Sequence, residues 1–429
     1  MENSKVNLKI LEFKELFKEI MEREPTPKER LTYMEYVYRD GLEKVKNILM
    51  STNEYNNKRL ISWSRNCTKV KLDELSTEKS NLSVKFYITL GVDGKSHVSK
   101  EYILALLYLG VNVKIEVVDI KSNIILERET MASCLENNIE YNKVFINTSP
   151  EHWKQIAEKE RSLNPKIMIY AFVSWFASKI PEEWKEYLLD VDRLIVPSKF
   201  AQDIFSEYFD KPIHHVPYII EINYSKKECI LPYNKKDYIF YCIADNTPRK
   251  NLYNLINDYL EEFTEDEDVF LLIKTNSNNP EIIKEITSKF NKKIPRMLIT
   301  DMELMDEEIL FIHDISHCYI SVAHGENVSL SLCTAAMLQK NIICIKYGGH
   351  VEYLRNVTFL EPVMTKADVS YMNLTLDATW ASYKSEDLKE AMRYAFDNRL
   401  KGSNNTRKLI KENYNYKNVG KKLLDVIEN

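Results

Sequence analysis

The chain has 429 residues, 44% of them apolar, enough for two large domains and a small third one. Its net charge is −5 with both signs mixed along the chain, which speaks against a protein whose main task is gripping nucleic acid. With only 9 glycines, Gly-rich phosphate cradles must be sparse.

The first 80 residues read as a small all-α module. Phe13, Leu16, Phe17, Ile20 and Met21 recur at helical spacing. Thr26-Pro27-Lys28-Glu29 is a capping box with Pro at the first helical position. The helix it opens carries Leu31, Met34, Val37 and Tyr38 on one face and stops near Gly41. A third helix runs through Val45, Ile48 and Leu49, and Ser51-Thr52-Asn53-Glu54 caps a fourth.

From Val84 the rhythm becomes βα. Strands are predicted at 84–90, 113–118, 144–147, 167–173, 194–197 and 213–216, with helices between them, among them 151–162 and 199–208. That alternation predicts an α/β fold with a parallel sheet covered on both faces, over 81–220. The first loop, Gly91-Val92-Asp93-Gly94-Lys95-Ser96, reads either as a phosphate approach or as a turn needing positive φ. Ser198 is placed to cap the helix after Val196-Pro197. His215-Val216-Pro217-Tyr218 and the polar stretch 225–236 introduce a second βα domain over 221–384. Its strands are predicted at 238–244, 269–274, 297–299, 318–322, 342–346 and 357–360. Ser385-Glu386-Asp387 then caps a helix, and two more finish the chain over 385–429.

Two strand-to-helix turns of the second domain could carry chemistry. Asp245-Asn246-Thr247-Pro248-Arg249-Lys250-Asn251 opens a helix bearing Leu252, Leu255, Ile256 and Tyr259. A cationic pair there suits a diphosphate: Arg binds two oxygens at once, Lys acts as a point charge, and the helix end adds partial positive charge. The alternative is a solvated surface pair. In the second turn, the strand at 318–322 runs into Ala323-His324-Gly325-Glu326-Asn327-Val328-Ser329, a helix from Leu330, then a strand ending in Tyr347-Gly348-Gly349-His350. Ligands of open α/β sheets bind outside the carboxyl ends of the strands, where helix N-termini offer free N–H groups. Glu326 sits at such an end. Lys274 closes the strand Phe270–Lys274 on the same side.

Residues 326–337 resemble the donor-sugar signature of retaining glycosyltransferases of the GT-B fold, in the large family-four group. The family pattern is acid, Gly, aromatic, Gly, Leu, Pro, two residues, a second acid, Ala and often Met. Glu326, Leu330, Ala335 and Met337 match it. Asn327, Val328, Ser329 and Ser331 stand in for Gly, aromatic, Gly and Pro, and Thr334 replaces the second acid. Pro248-Arg249-Lys250-Asn251 and the Lys274-Thr275 strand end are similar to family segments at the donor cleft, and an Arg that relatives carry near 243–244 is missing. Phe176 occupies a place where a Glu is common. The N-terminal stretch from Phe17 through Arg23-Glu24-Pro25 to Tyr55 resembles a short helical domain often fused to bacterial and phage glycosyltransferases.

The resemblance implies two Rossmann-like domains and transfer of a sugar from a nucleotide sugar to a glycan or protein acceptor, with retention. It implies that Glu326 holds the donor sugar. Arg249, Lys250 and the N–H groups of Asn327, Val328, Ser329 and Leu330 would hold the diphosphate. Thr334 would meet the ribose, with Lys274 nearby. The loop of Gly91, Gly94 and Ser96 would face the acceptor-side cleft. No cofactor is expected beyond the donor itself. His214 and His215 point to opposite faces of a strand and no Asp-x-Asp stands where a donor-phosphate cation would need it, so metal-independent chemistry is expected. The seven cysteines are scattered without a Cys-x-x-Cys, and Cys242, Cys318 and Cys344 read as core residues of a cytoplasmic protein. No apolar run approaches ~18 residues, so no membrane span is expected. The helical module would solubilise, oligomerise or recruit an acceptor. Two rival readings are a GT-B binding subunit that has lost catalysis and a phage-type transferase acting on DNA bases.

Overall fold

The computed structural model describes residues 2–21, 23–50, 80–91, 94–120, 134–135, 137–222, 228, 231–276, 288, 290, 293–302, 304 and 306–428. They group into two compact units. One comprises 1–73, 90–92 and 120–138; the other comprises 74–89, 93–119 and 139–429. The expected fourth helix from Ser51, together with Val92, Asp93, Cys67 and Cys229, lies outside the described residues.

In the first unit, α1 (Glu2–Met21), α2 (Pro27–Asp40) and α3 (Leu42–Met50) bury Phe13, Phe17, Met21, Val37, Val45 and Leu49 against one another. The capping box forms as the sequence dictates. Glu29 N donates to Thr26 Oγ1 at 3.3 Å, and Thr26 N donates to Glu29 Oε2 at 2.8 Å. Arg23 adds two bonds to the same carboxylate and holds its pKa down at about 2. Gly41, at φ 86°, ends the helix as only glycine does without strain.

The second unit contains two parallel six-stranded sheets, the arrangement of two Rossmann-like domains. The first is built from β1 (Ser83–Leu90), α4 (Gly94–Tyr108), β2 (Asn112–Ile120), β3 (Lys143–Asn147), α5 (Trp153–Leu163), β4 (Met168–Phe172), α6 (Trp184–Leu188), β5 (Arg193–Val196), α7 (Lys199–Ser206) and β6 (Ile213–His215). Its strand order is β2-β1-β3-β4-β5-β6. Alternate residues feed opposite faces. Val144, Ile146, Ile169 and Ala171 meet α5 and α7 through Ile156, Ala157, Ile204 and Phe205. The rings of Phe86, Phe145, Tyr170 and Phe172 stack on the other face, and Tyr102 of α4 lies 5.0 Å from Phe172.

The second sheet is built from β7 (Tyr238–Ile243), α8 (Leu252–Glu262), β8 (Val269–Lys274), β9 (Arg296–Thr300), α9 (Asp306–Ile315), β10 (Cys318–Ser321), α10 (Leu330–Met337), β11 (Asn341–Ile345) and β12 (Thr358–Leu360), in the order β12-β11-β10-β7-β8-β9. Tyr238, Phe240 and Cys242 pack with α8 on one face, while Ile239 and Tyr241 pack under α9 and α10 on the other. A hairpin of β13 (Val363–Lys366) and β14 (Thr379–Ser382) follows, then α11 (Ser385–Asp397), α12 (Asn404–Asn413) and α13 (Tyr416–Glu428). α12 packs on α10, and α13 returns to lie along α4.

Three local expectations are corrected. Gly94 does not sit in a positive-φ loop; it opens α4, and Ser96 lies in the first turn of that helix. Ser385 is not the cap of α11. Its hydroxyl donates to Asp258 at 2.6 Å, beside that of Tyr383 at 2.7 Å, and Lys384 holds the cap position. The hairpin β13–β14 was not expected at all. Among the described residues no helix is long and apolar enough to cross a membrane.

Candidate active site

Parallel strands release their chains at one edge of a sheet. β11, β10 and β7 are neighbours, so their exit loops meet there. After β7 the chain forms a 3-10 turn, Pro248–Lys250, and Asn251 adopts the left-handed conformation (φ 56°) that swings it into α8. After β10, residues 322–329 form a buried loop that ends at α10. After β11, Gly348 at φ 116° lets the backbone pass beside Glu326 in a parallel bridge. Gly349 N donates to Glu326 O at 3.0 Å and His324 N to Arg249 O at 2.8 Å, so the three loops are stitched together.

Glu326 is 7% exposed, and both of its oxygens face cations. Lys250 Nζ donates to Oε1, and Arg249 Nη1 lies 3.3 Å from Oε2. Burial alone would raise the pKa of this carboxyl; the charges of Lys250 and Arg249 reverse that and hold it at about 2. Arg249 also donates to Gly325 O at 2.8 Å, and its guanidinium lies 4.9 Å from the ring centre of Phe176. Burial opposes its charge, while Glu326 and Tyr371 raise its pKa. His350, buried beneath the loop, donates Nε2–H to Ile345 O at 2.8 Å. Two buried polar atoms here, Thr247 Oγ1 and Asn327 Nδ2, have no hydrogen-bond partner within the protein.

Most of the residues singled out in the sequence converge here. Asn327, Val328 and Ser329 line the loop beside Glu326, and Leu330 begins α10. Ser329 makes no side-chain cap bond, so the first N–H groups of α10 have no partner from it. Thr334 turns its hydroxyl to Leu330 O at 3.0 Å, inside its own helix. Lys274 ends β8, two strands from β10, and donates to Thr275 O. From the first sheet, the position of a Cβ on Gly94 would lie 3.5 Å from Leu330 Cδ1, so the start of α4 faces the start of α10. Ser96 is spent on a structural bond to Thr89 O at 2.9 Å. Gly91 follows β1. Among the described residues no group of three or more His, Cys, Asp or Glu side chains is arranged to hold a metal ion.

The structure adds residues that the sequence did not single out for this site. Ser198, cap of α7, accepts from Ala201 N at 3.0 Å and donates to Asn327 Oδ1, linking the first sheet to the Glu326 loop. Glu352 accepts from Phe200 N at 3.0 Å, again across the two sheets. Tyr371 reaches Arg249 from the turn between β13 and β14. The cap pattern at Ser198 was readable; its second bond, across 129 residues, was not.

No family model matches the chain, and no curated protein matches it. Solved structures match in fold. The Anabaena protein HepE, in complex with UDP and glucose, is 12% identical, covers 81% of this chain and 99% of its own, and superposes with a TM-score of 0.56. A glycosyltransferase from Rickettsia africae is 13% identical over 81% of this chain and 98% of its own, with a TM-score of 0.56. Sucrose-phosphate synthase from Thermosynechococcus elongatus is 11% identical over 81% and 98%, with a TM-score of 0.58. At these identities the likeness shows the fold: two Rossmann-like domains in the GT-B arrangement.

Proposed function

We propose that this chain is a glycosyltransferase that moves a sugar from a nucleotide-sugar donor to a glycan or protein acceptor, with retention and without a metal. The observation that carries this reading is Glu326, buried and ionised between Lys250 and Arg249 at the exits of adjacent parallel strands. Loss of a nucleoside diphosphate builds negative charge on the leaving oxygens. The Lys250 ammonium and the free N–H groups of Asn327 to Leu330 at the start of α10 would stabilise it. Glu326 would accept hydrogen bonds from the donor sugar once the diphosphate draws Lys250 away. Thr334, whose oxygen still has a free lone pair, would meet the ribose, and Lys274 would stand nearby. The solved complexes of HepE make UDP the first nucleotide and UDP-glucose the first donor to try.

Calorimetry with UDP tests the clamp. The wild-type chain binds UDP, and Lys250→Ala weakens binding by about tenfold, the loss of one charge-assisted contact. Equal affinity in both chains would discard Lys250 as the diphosphate contact. UDP-glucose turnover should persist in EDTA and vanish in Glu326→Ala while UDP binding remains. A binding subunit without catalysis is the second reading. It is favoured by the Thr334 hydroxyl, which is turned into its helix and carries no charge for a ribose. UDP binding with no turnover of any donor would select it.

A further inference from the structure

Arg249 and Lys250 are neighbours in sequence, yet they present themselves differently. Lys250 touches a single oxygen of Glu326 through a flexible stem. Arg249 holds three consecutive residues: its carbonyl accepts from His324 N at 2.8 Å, its Nη1 donates to Gly325 O at 2.8 Å, and the same nitrogen lies 3.3 Å from Glu326 Oε2. One face of its guanidinium is covered by Phe176, 4.9 Å from the ring centre. Phe176 comes from the exit of β4, on the other sheet, and Tyr371 stands 5.9 Å from that ring. The backbone of the β4 exit presses on the same loop: a Cβ on Gly325 would lie 2.1 Å from Phe176 O. An arginine serving a diphosphate needs an open fork; this one is turned to a carbonyl and a carboxylate.

We propose that Arg249 is a positioning residue which, seated on Phe176, fixes the Glu326 carboxylate, so that Glu326 is oriented only when the two sheets are closed on each other. Of the two cations, Lys250 is then the one left for the diphosphate, beside the N–H groups at the start of α10. The role of Glu326 rests on the donor-sugar reading above; the latch itself does not. The desolvated cation–π contact supplies the hold, and the Tyr371 hydroxyl accepts a hydrogen bond from the same guanidinium.

Hydrogen exchange on the full chain tests it, with the amides of β7 as the control for an intact fold. In Phe176→Leu the amides of 324–329 exchange about tenfold faster while those of β7 stay protected. Phe176→Tyr, which keeps the ring face, restores wild-type exchange. Arg249→Lys reproduces the loosening, because an ammonium cannot grip both partners. UDP affinity in Phe176→Leu and Arg249→Lys stays within about twofold of wild type, while UDP-glucose turnover falls by about tenfold. Unchanged exchange at 324–329 in Phe176→Leu, or no rescue by Phe176→Tyr, would overturn the latch. So would a parallel loss of UDP affinity in Arg249→Lys, which would put the guanidinium on the diphosphate. If Phe176→Leu fails to fold, Tyr371→Phe, which removes one hydroxyl, replaces it and must loosen the same amides. A wild-type chain that binds no UDP defeats the donor reading, while the exchange data still decide the latch.

Discussion

Glu326 is a carboxylate that burial alone would neutralise, kept ionised by two cations that arrive from a neighbouring strand. Its pKa is about 2 in the folded chain, against ~4.3 for an unperturbed Glu. A depressed acid stabilises the fold fully above its unfolded pKa, and that contribution fades as the pH falls through the folded value. The window is therefore about pH 4.5 to 2. Glu326→Gln removes this contribution and leaves Lys250 and Arg249 facing a neutral amide, a loss that reaches ~3–5 kcal/mol for buried pairs. Urea denaturation should show the variant less stable at pH 7, with the gap to wild type narrowing from pH 5 to pH 3. Glu29, also held at about 2, titrates in both chains and cancels. Parallel profiles for the two chains would mean that folding does not lower the pKa of Glu326. At this scale the sequence showed the acid and its cations, because each sits at a strand-to-helix turn. Tyr371 escaped, and Phe176 stood out only as a departure from a resembling pattern, because the chain brings both to Arg249 from far away and neither lies in a periodic pattern.

The elements themselves were legible where burial is two-sided. Runs such as Tyr238–Cys242 and Val269–Ile273 are buried along their whole length, and short β-rich apolar runs of this kind, bounded by polar turns, read as central parallel strands. β13 and β14 escaped because they pair only with each other, and β13 is largely exposed, so no buried face imposes a pattern. Gly94 misled for a related reason: glycine at a loop suggests positive φ, whereas here it starts a helix that faces Leu330. Where three elements touch, glycine is required by space. A Cβ on Gly349 would lie 2.5 Å from Asn327 O and 2.6 Å from Ser198 Cβ, with backbone on one side and a helix cap on the other. Gly349→Ala should cost ~1–3 kcal/mol as overpacking. Ser198→Ala should cost ~1 kcal/mol as a lost cap, and it also leaves Asn327 Oδ1 without its donor. The two changes act on one contact, because removing the hydroxyl relieves part of the clash. The double variant should therefore lose less than the sum in urea titrations. Full additivity would show that the start of α7 and the Gly349 turn do not share strain.

Within the second unit, the chain passes between the two sheets twice, at 216–222 and at 414–416. These passages are bonded to each other and to their surroundings. Ile220 N donates to Tyr414 O at 2.8 Å, and Tyr416 N to Glu221 at 3.1 Å. Tyr102 of α4 donates to Val216 O at 2.9 Å. α12 buries Ile410 with the second sheet, and α13 sets Gly420 against α4, where a Cβ would lie 3.3 Å from that of Ala105. A hinge so tied transmits unfolding from one sheet to the other. The tryptophans make this measurable, because Trp153, Trp175 and Trp184 all belong to the first-sheet core, whereas the proposed diphosphate contacts lie on the second sheet. Trp380 stacks on His324 of the Glu326 loop, so in a chain with both Trp63 and Trp380 replaced by Phe, UDP at 100 times its Kd should stabilise the folded state by ~2.7 kcal/mol. If the two sheets unfold together, the urea midpoint of tryptophan fluorescence must rise as far as that of far-ultraviolet circular dichroism. A fluorescence midpoint that stays fixed while the dichroism midpoint moves would show that the two sheets melt independently. The paired passages would then be a flexible joint, and closure could no longer set the orientation of Glu326.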